Sequence, residues 1–166
     1  MIYKDNFLSI DEYKNLKNKI TSHETPWFYV ENDTYPITEN KNGYFINYFY
    51  KDQMPCHPYY QDCIPLLNKI GCVAPLEIRA NLNLRDIDSK ASGFHTDNNY
   101  MHVKTAVLFF TTCNAKTILR FKNNDITINS VENRILIFNS SVEHKLIYQT
   151  DKHKRYVLNI NYYGDY

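Results

Sequence analysis

The chain has 166 residues, a length that holds one domain with a single core. A hydrophobic fraction of 43% and a charged fraction of 22% are ordinary globular usage, and a net charge of +1 excludes a global field aimed at nucleic acid or an acidic membrane. No apolar run is long enough to span a bilayer, and the opening Met1-Ile2-Tyr3-Lys4-Asp5 lacks an apolar secretory core, so a cytoplasmic protein is expected.

Cys56, Cys63, Cys72 and Cys113 form no C-x-x-C pair, which argues for free thiols rather than a structural zinc site. Asn, Lys, Ile and Tyr are abundant while Gly and Arg are scarce. That bias follows AT-rich codons and points to a bacteriophage or an AT-rich bacterium as source.

Residues 1–166 read as one domain, with a helical N-terminal part over 1–75 and a β-rich core over 76–163. Ser9 with Glu12 three residues later forms a capping box, and Ile10, Tyr13, Leu16 and Ile20 follow at helical spacing. The spacing predicts a helix over about 10–22. Gly43 to Tyr50 reads as a strand. A second helix is expected from about His57 to Ile70, with Pro65 either kinking it or opening a fresh first turn. From residue 76 the pattern turns to strands: 76–84, 93–97, 104–112, 116–121, 125–130, 133–139, 143–149 and 154–163. Short strands with tight connections predict a double-stranded β-helix of jelly-roll or cupin-like type, mainly β, with helices covering one sheet.

Two strands carry a polar row opposite an apolar row. Arg155, Val157, Asn159 and Asn161 alternate with Tyr156, Leu158, Ile160 and Tyr162; Arg79, Asn81 and Asn83 alternate with Ala80, Leu82 and Leu84. Alternation alone allows two readings. The polar rows face solvent, or they line a barrel mouth that binds a charged ligand.

His95-Thr96-Asp97 sends both outer side chains to one face if the segment is a strand. A bare H-x-D pair is weak evidence. His144 on a later strand would complete two histidines and one carboxylate, a set that can hold Fe(II) and leave positions open. Arg155 follows at eleven residues. If 143–149 and 154–163 pair as a hairpin, residue 157 lies across from His144 and Arg155 is offset by roughly 6–7 Å. That offset suits a five-carbon diacid whose far carboxylate meets the guanidinium bidentately.

The stretch from about 76 to 163 resembles the 2-oxoglutarate/Fe(II)-dependent oxygenase superfamily, its prolyl 4-hydroxylase-like group and small phage-encoded members above all. The residues that carry the likeness are Gly93-Phe94-His95-Thr96-Asp97, Lys104 to Phe110, Glu132 to Ser140, His144, and Arg155 to Tyr162. Asn6-Phe7-Leu8-Ser9 before a helix and Pro26-Trp27-Phe28-Tyr29 are also similar, while residues 30–75 match weakly. The resemblance implies iron bound by His95, Asp97 and His144 and the C5 carboxylate of 2-oxoglutarate bound by Arg155. Asn83 falls where the family often has a cosubstrate-contacting tyrosine, and Asn159 where a hydroxyl residue often assists the arginine. Two departures stand out. Phe109 replaces a tyrosine that many members place on the cosubstrate, and Asn114-Ala115-Lys116-Thr117 lacks the usual glycine.

The implied cofactors are Fe(II), 2-oxoglutarate and O2, with ascorbate as an optional reductant. The implied reaction hydroxylates a C–H bond and releases succinate and CO2, and an amino-acid side chain, as prolyl in a peptide or as a related free amino acid, is the leading substrate. A nucleobase- or nucleotide-oxidising oxygenase and a non-catalytic cupin-type metal-binding barrel are the alternatives. The expected partner is a small molecule or peptide, without nucleic acid or membrane. Arg79 is read either as a substrate-carboxylate contact or as half of an internal salt bridge. His102 is read as a loop histidine, Tyr44 and Tyr48 as core, Lys152-His153-Lys154 as a solvated hairpin tip, and 30–60 as the segment where substrate choice is made, a candidate lid.

Overall fold

In the computed structural model, which describes residues 1–31, 43–88, 90–122 and 124–165, the helical signals of the N-terminal part are realised. Residues 32–42, the middle of the segment expected to choose substrate, lie outside the described residues. Helix α1 (Ile10–Ile20) starts at the reciprocal Ser9–Glu12 capping box and buries Tyr13, Leu16 and Ile20. Helix α2 (Tyr60–Lys69) contains Pro65 in its interior. Pro65 and Gln61 are exposed. The carbonyl that loses its donor to the proline ring therefore faces water, which limits the cost. All four cysteines are free thiols. No helix among the described residues is long and apolar enough to cross a membrane.

The strands are β1 (Ile2–Lys4), β2 (Phe28–Val30), β3 (Tyr44–Lys51), β4 (Met54–Pro55), β5 (Cys72–Leu84), β6 (Val103–Phe109), β7 (Lys116–Arg120), β8 (Asp125–Asn129), β9 (Ile135–Asn139), β10 (His144–Ile147) and β11 (Lys154–Gly164). A large antiparallel sheet has the order β1-β9-β6-β11-β5-β3-β2, with β4 on β3, and a small sheet has the order β10-β7-β8. The expected jelly roll with helices over one sheet is what forms.

Alternation decides which layer each side chain joins. On the large sheet, Ile78, Ala80, Ala106, Leu108, Ile135, Ile137, Leu158 and Ile160 pack with α1 and α2 in one core. The opposite face supplies Val107, Phe109, Leu136, Phe138 and Val157, which meet Leu119 and Ile128 of the small sheet in a second core. The large sheet is therefore covered on both faces. Its inward rows cannot be solvent-facing, and the polar row of β11 is buried: Arg155, Asn159 and Asn161 are each less than 9% exposed.

Two expectations fail. The segment 93–97 is not a strand; it touches β10 through isolated bridges at Ala91–Ile147 and His95–His144. Between them the Ser92 hydroxyl, not its backbone, accepts from the Leu146 N–H, so the ladder is broken there. The proposed hairpin of 143–149 with 154–163 does not form either. β10 pairs β7, whereas β11 pairs β5 and β6. The connection after β10 crosses from the small sheet to the large one, so Arg155 sits opposite Asn83 and not near His144 in register.

The N-terminal segment is held by the pairing of β1 with β9, by Asp5 on Arg134 and by the side chain of Asn133. Asn133 accepts from the Leu8 N–H at 2.9 Å and donates to the Leu8 carbonyl at 2.9 Å, while its own backbone takes a left-handed φ of 56°. Asparagine tolerates that φ far better than most residues. Replacing it with alanine strands two buried backbone groups of Leu8. Urea unfolding of Asn133→Ala should show a loss of about 2–4 kcal/mol; a change inside ~0.5 kcal/mol would show that the fastening is immaterial.

Candidate metal and anion site

Both sheets contribute to a cavity of about 420 Å³ lined by His95, Asp97, His144, Asn83, Arg155 and Asn159, among others. The sequence-derived set is thus gathered in one place, although by a different connection from the one expected.

His95 and His144 exchange backbone hydrogen bonds in both directions, at 3.0 and 2.8 Å, which sets their rings side by side with centroids 4.3 Å apart. His95 Nδ1 lies 3.3 Å from the Gly93 carbonyl and His144 Nδ1 lies 3.1 Å from the Val142 carbonyl. A carbonyl only accepts, so both Nδ1 atoms carry the proton and both Nε2 lone pairs are left for a metal. Burial, reinforced by His144, pulls the His95 pKa below its ordinary value, which favours the neutral, ligating form.

Asp97 Oδ1 lies 3.9 Å from His95 Nε2 and 3.6 Å from His144 Nε2. These separations are too long for hydrogen bonds and suit three donors around a common point. One ligand atom from each of the three residues lies within 4.8 Å of the others, the only such set of His, Cys, Asp and Glu among the described residues. Two imidazole nitrogens and one carboxylate are the donor set of non-haem Fe(II) sites.

The other carboxylate oxygen is tethered. Thr105 Oγ1 lies 2.9 Å from Asp97 Oδ2, 2.9 Å from Ser140 Oγ and 2.8 Å from Asn161 Oδ1. Thr105 has one proton; with that proton on the carboxylate, Ser140 supplies its own to the threonine oxygen. Sequence reading passed over Thr105 and Ser140. The available signal was that Thr105 is the one hydroxyl in an otherwise apolar inward row, Val103, Thr105, Val107 and Phe109.

At the other end of the cavity Arg155 is 3% exposed. Its Nη1 donates to Asn83 Oδ1 at 3.2 Å, its Nε donates to Ser130 Oγ at 3.3 Å, and the face of Phe109 lies 5.4 Å away. Ser130 passes its own proton to the Thr111 carbonyl at 2.8 Å. No carboxylate among the described residues pairs with Arg155. Burial pulls its pKa down to about 10, so it remains charged at neutral pH and stays short of an anion. Asn159 lies further along the same inward row, with its Oδ1 buried and without a hydrogen-bond partner. Tyr148, also missed from sequence, lines the cavity and acts electrostatically on Arg155. It brings a phenol to a site whose expected tyrosine position holds Phe109.

The remaining sequence candidates separate clearly. Tyr44 lines the cavity instead of joining the core. His102 lines a different surface hollow, with Tyr100 and Met101. Lys152, His153 and Lys154 are exposed as expected, but they are not the tip of a hairpin, since β10 and β11 do not pair.

No family model and no curated protein matches the sequence. Solved structures do. A prolyl hydroxylase from Trichoplax adhaerens, in complex with a hypoxia inducible factor oxygen degradation domain peptide fragment, superposes with a TM-score of 0.72 at 13% identity, over 98% of this chain and 83% of that one. This chain shares its fold. A 2OG-Fe(II) oxygenase family oxidoreductase from Burkholderia pseudomallei gives 0.71 at 11% identity, over 93% and 78%. A Pseudomonas putida prolyl-4-hydroxylase gives 0.64 at 14% identity, over 99% and 92%. At such identities the likeness establishes architecture, and the chemistry has to be argued from the cavity.

If Thr105 orients Asp97, Thr105→Val should weaken divalent-metal binding by about tenfold or more. Titration with Mn(II) or Co(II) in the absence of other ligands reads this directly, and unchanged affinity would remove the tether from the site.

Proposed function

We propose that this protein is a 2-oxoglutarate- and Fe(II)-dependent oxygenase, akin to the prolyl 4-hydroxylase-like group, that hydroxylates a C–H bond of an amino-acid side chain. The observation that carries the reading is a buried guanidinium with no carboxylate partner among the described residues, in the same cavity as two imidazoles and a carboxylate grouped closely enough to share an ion. A non-catalytic cupin-type barrel has no use for that guanidinium. The peptide named with the Trichoplax relative supports an amino-acid side chain as the target class.

Under this reading His95, Asp97 and His144 hold Fe(II). Bound with 2-oxoglutarate and O2, the iron supplies a two-electron oxidation of C–H to C–OH, the cosubstrate leaving as succinate and CO2. Arg155 receives the far carboxylate of 2-oxoglutarate, held in place by Asn83 and Ser130. The donor fork is fixed before the ligand arrives, so little ordering is needed on binding. Phe109 closes one side of the guanidinium and keeps water from competing for it. Thr105 keeps the Asp97 carboxylate from rotating, and the Gly93 and Val142 carbonyls keep the imidazoles in their ligating tautomer.

Anaerobic addition of Fe(II) and 2-oxoglutarate should give a visible charge-transfer band that His144→Ala abolishes; absence of the band in the unmodified protein would end the oxygenase reading. A second variant separates the two halves of the cavity. Arg155→Ala should raise the Kd for 2-oxoglutarate by about 30-fold or more while metal affinity stays within about threefold. Equal loss of both would take the cosubstrate role from Arg155.

A further inference from the structure

Strand β5 sends more into the cavity than Asn83. Glu77, Arg79 and Asn81 share its inward face and line the same space. Asn83 is opposite Arg155, Arg79 opposite Asn159, and Glu77 opposite Asn161, whose amide reaches the Thr105 hydroxyl that holds Asp97. Arg79 is four residues from Asn83, about 13 Å along the strand. A five-carbon diacid anchored at Arg155 spans roughly 7 Å at most and ends short of it. Arg79 and Glu77 instead belong to the metal end. Both line the same space as His95 and Asp97, and Glu77 stands opposite the Asn161 that contacts Thr105.

The pair forms a loose internal salt bridge, one of the two readings of Arg79, and both members still face the cavity. Arg79 Nη1 and Glu77 Oε1 are 3.6 Å apart, beyond hydrogen-bond distance, with the side chains 18% and 26% exposed. Arg79 Nε is buried without a hydrogen-bond partner. The guanidinium lies 5.9 Å from the Tyr48 ring, and the Tyr48 side chain is also a hydrogen-bond partner that favours its charged form. A cation and an anion that meet each other only loosely thus stand side by side, facing a cavity, with their tips 3.6 Å apart. That spacing fits two opposite charges carried on one carbon atom.

We propose that Arg79 and Glu77 form the receptor for the α-carboxylate and α-ammonium of a free, zwitterionic amino acid, whose side chain is thereby directed at His95, Asp97 and His144. The inference rests on the oxygenase reading above and names its substrate class. A residue inside a peptide has neither charge and would leave the two half-buried receptor groups with only each other, which discriminates against it. The receptor therefore selects free amino acids over peptides.

The test compares free amino acids with their N-acetyl amides and with short proline-rich peptides, following succinate release by the wild-type protein with Fe(II), 2-oxoglutarate and O2. At least one free amino acid should stimulate release, with its blocked amide at least about 30-fold less effective in kcat/KM. In Arg79→Gln and, separately, Glu77→Gln, KM for that amino acid should rise and the preference for the free form should collapse towards unity, thermal melting being used to verify folding. Should Arg79→Gln fail to fold, Glu77→Gln and the wild-type comparison decide. Blocked amides or peptides that work as well as free amino acids would overturn the proposal, as would silence from all twenty free amino acids in a protein that shows the Fe(II)/2-oxoglutarate band. A missing band would instead bring down the oxygenase reading, and this proposal with it.

Discussion

Burying the Arg155 guanidinium is the constraint around which the barrel interior is arranged. A charge at 3% exposure is tolerated only if its donors are met and its field is answered. Here Asn83 and Ser130 meet two donors with neutral oxygens, and Phe109 offers a π face. None of these neutralises the charge. The fold therefore holds a standing demand for an anion, and hydrophobic packing on both faces of the large sheet stabilises the arrangement that sustains it. A site that carries its own electrostatic deficit is preorganised for a carboxylate ligand.

The metal end follows a different logic. Its three donors are mutually close and partly satisfied through their far sides: two carbonyls on the imidazole Nδ1 atoms and the Thr105 hydroxyl on the carboxylate. The Thr105, Ser140 and Asn161 cluster draws on β6, the end of β9 and β11, so the carboxylate is positioned by the large sheet although its chain segment runs beside the small one. The Nε2 atoms and the free carboxylate oxygen remain for an ion.

Most of the fold was legible because the pleat writes itself into the sequence. The row Arg155, Val157, Asn159, Asn161 against Tyr156, Leu158, Ile160, Tyr162 identifies two faces, and the Ser9–Glu12 box marks where α1 begins. What alternation cannot say is which face meets solvent. A polar row usually does, and here both faces are covered because the small sheet closes over the inner one. Pairing was likewise hidden. His144 and Arg155 are close in sequence, which suggests a hairpin, yet the chain crosses between sheets. The ligands were legible by type and spacing. Thr105, Ser130 and Tyr148 were not, since a lone hydroxyl carries no pattern until its neighbours are known.

The setting of β11 has a further consequence. It is hydrogen-bonded on both sides, by β5 and β6, so Arg155 rides on a strand with no edge. The segment that carries His95 and Asp97 is joined to the barrel by two isolated bridges. Backbone amides around Arg155 can exchange with solvent only when the barrel itself opens, whereas those around His95 need only a local opening. The anion end is the anchored jaw of the cavity, and the segment with His95 and Asp97 is the less continuously paired one.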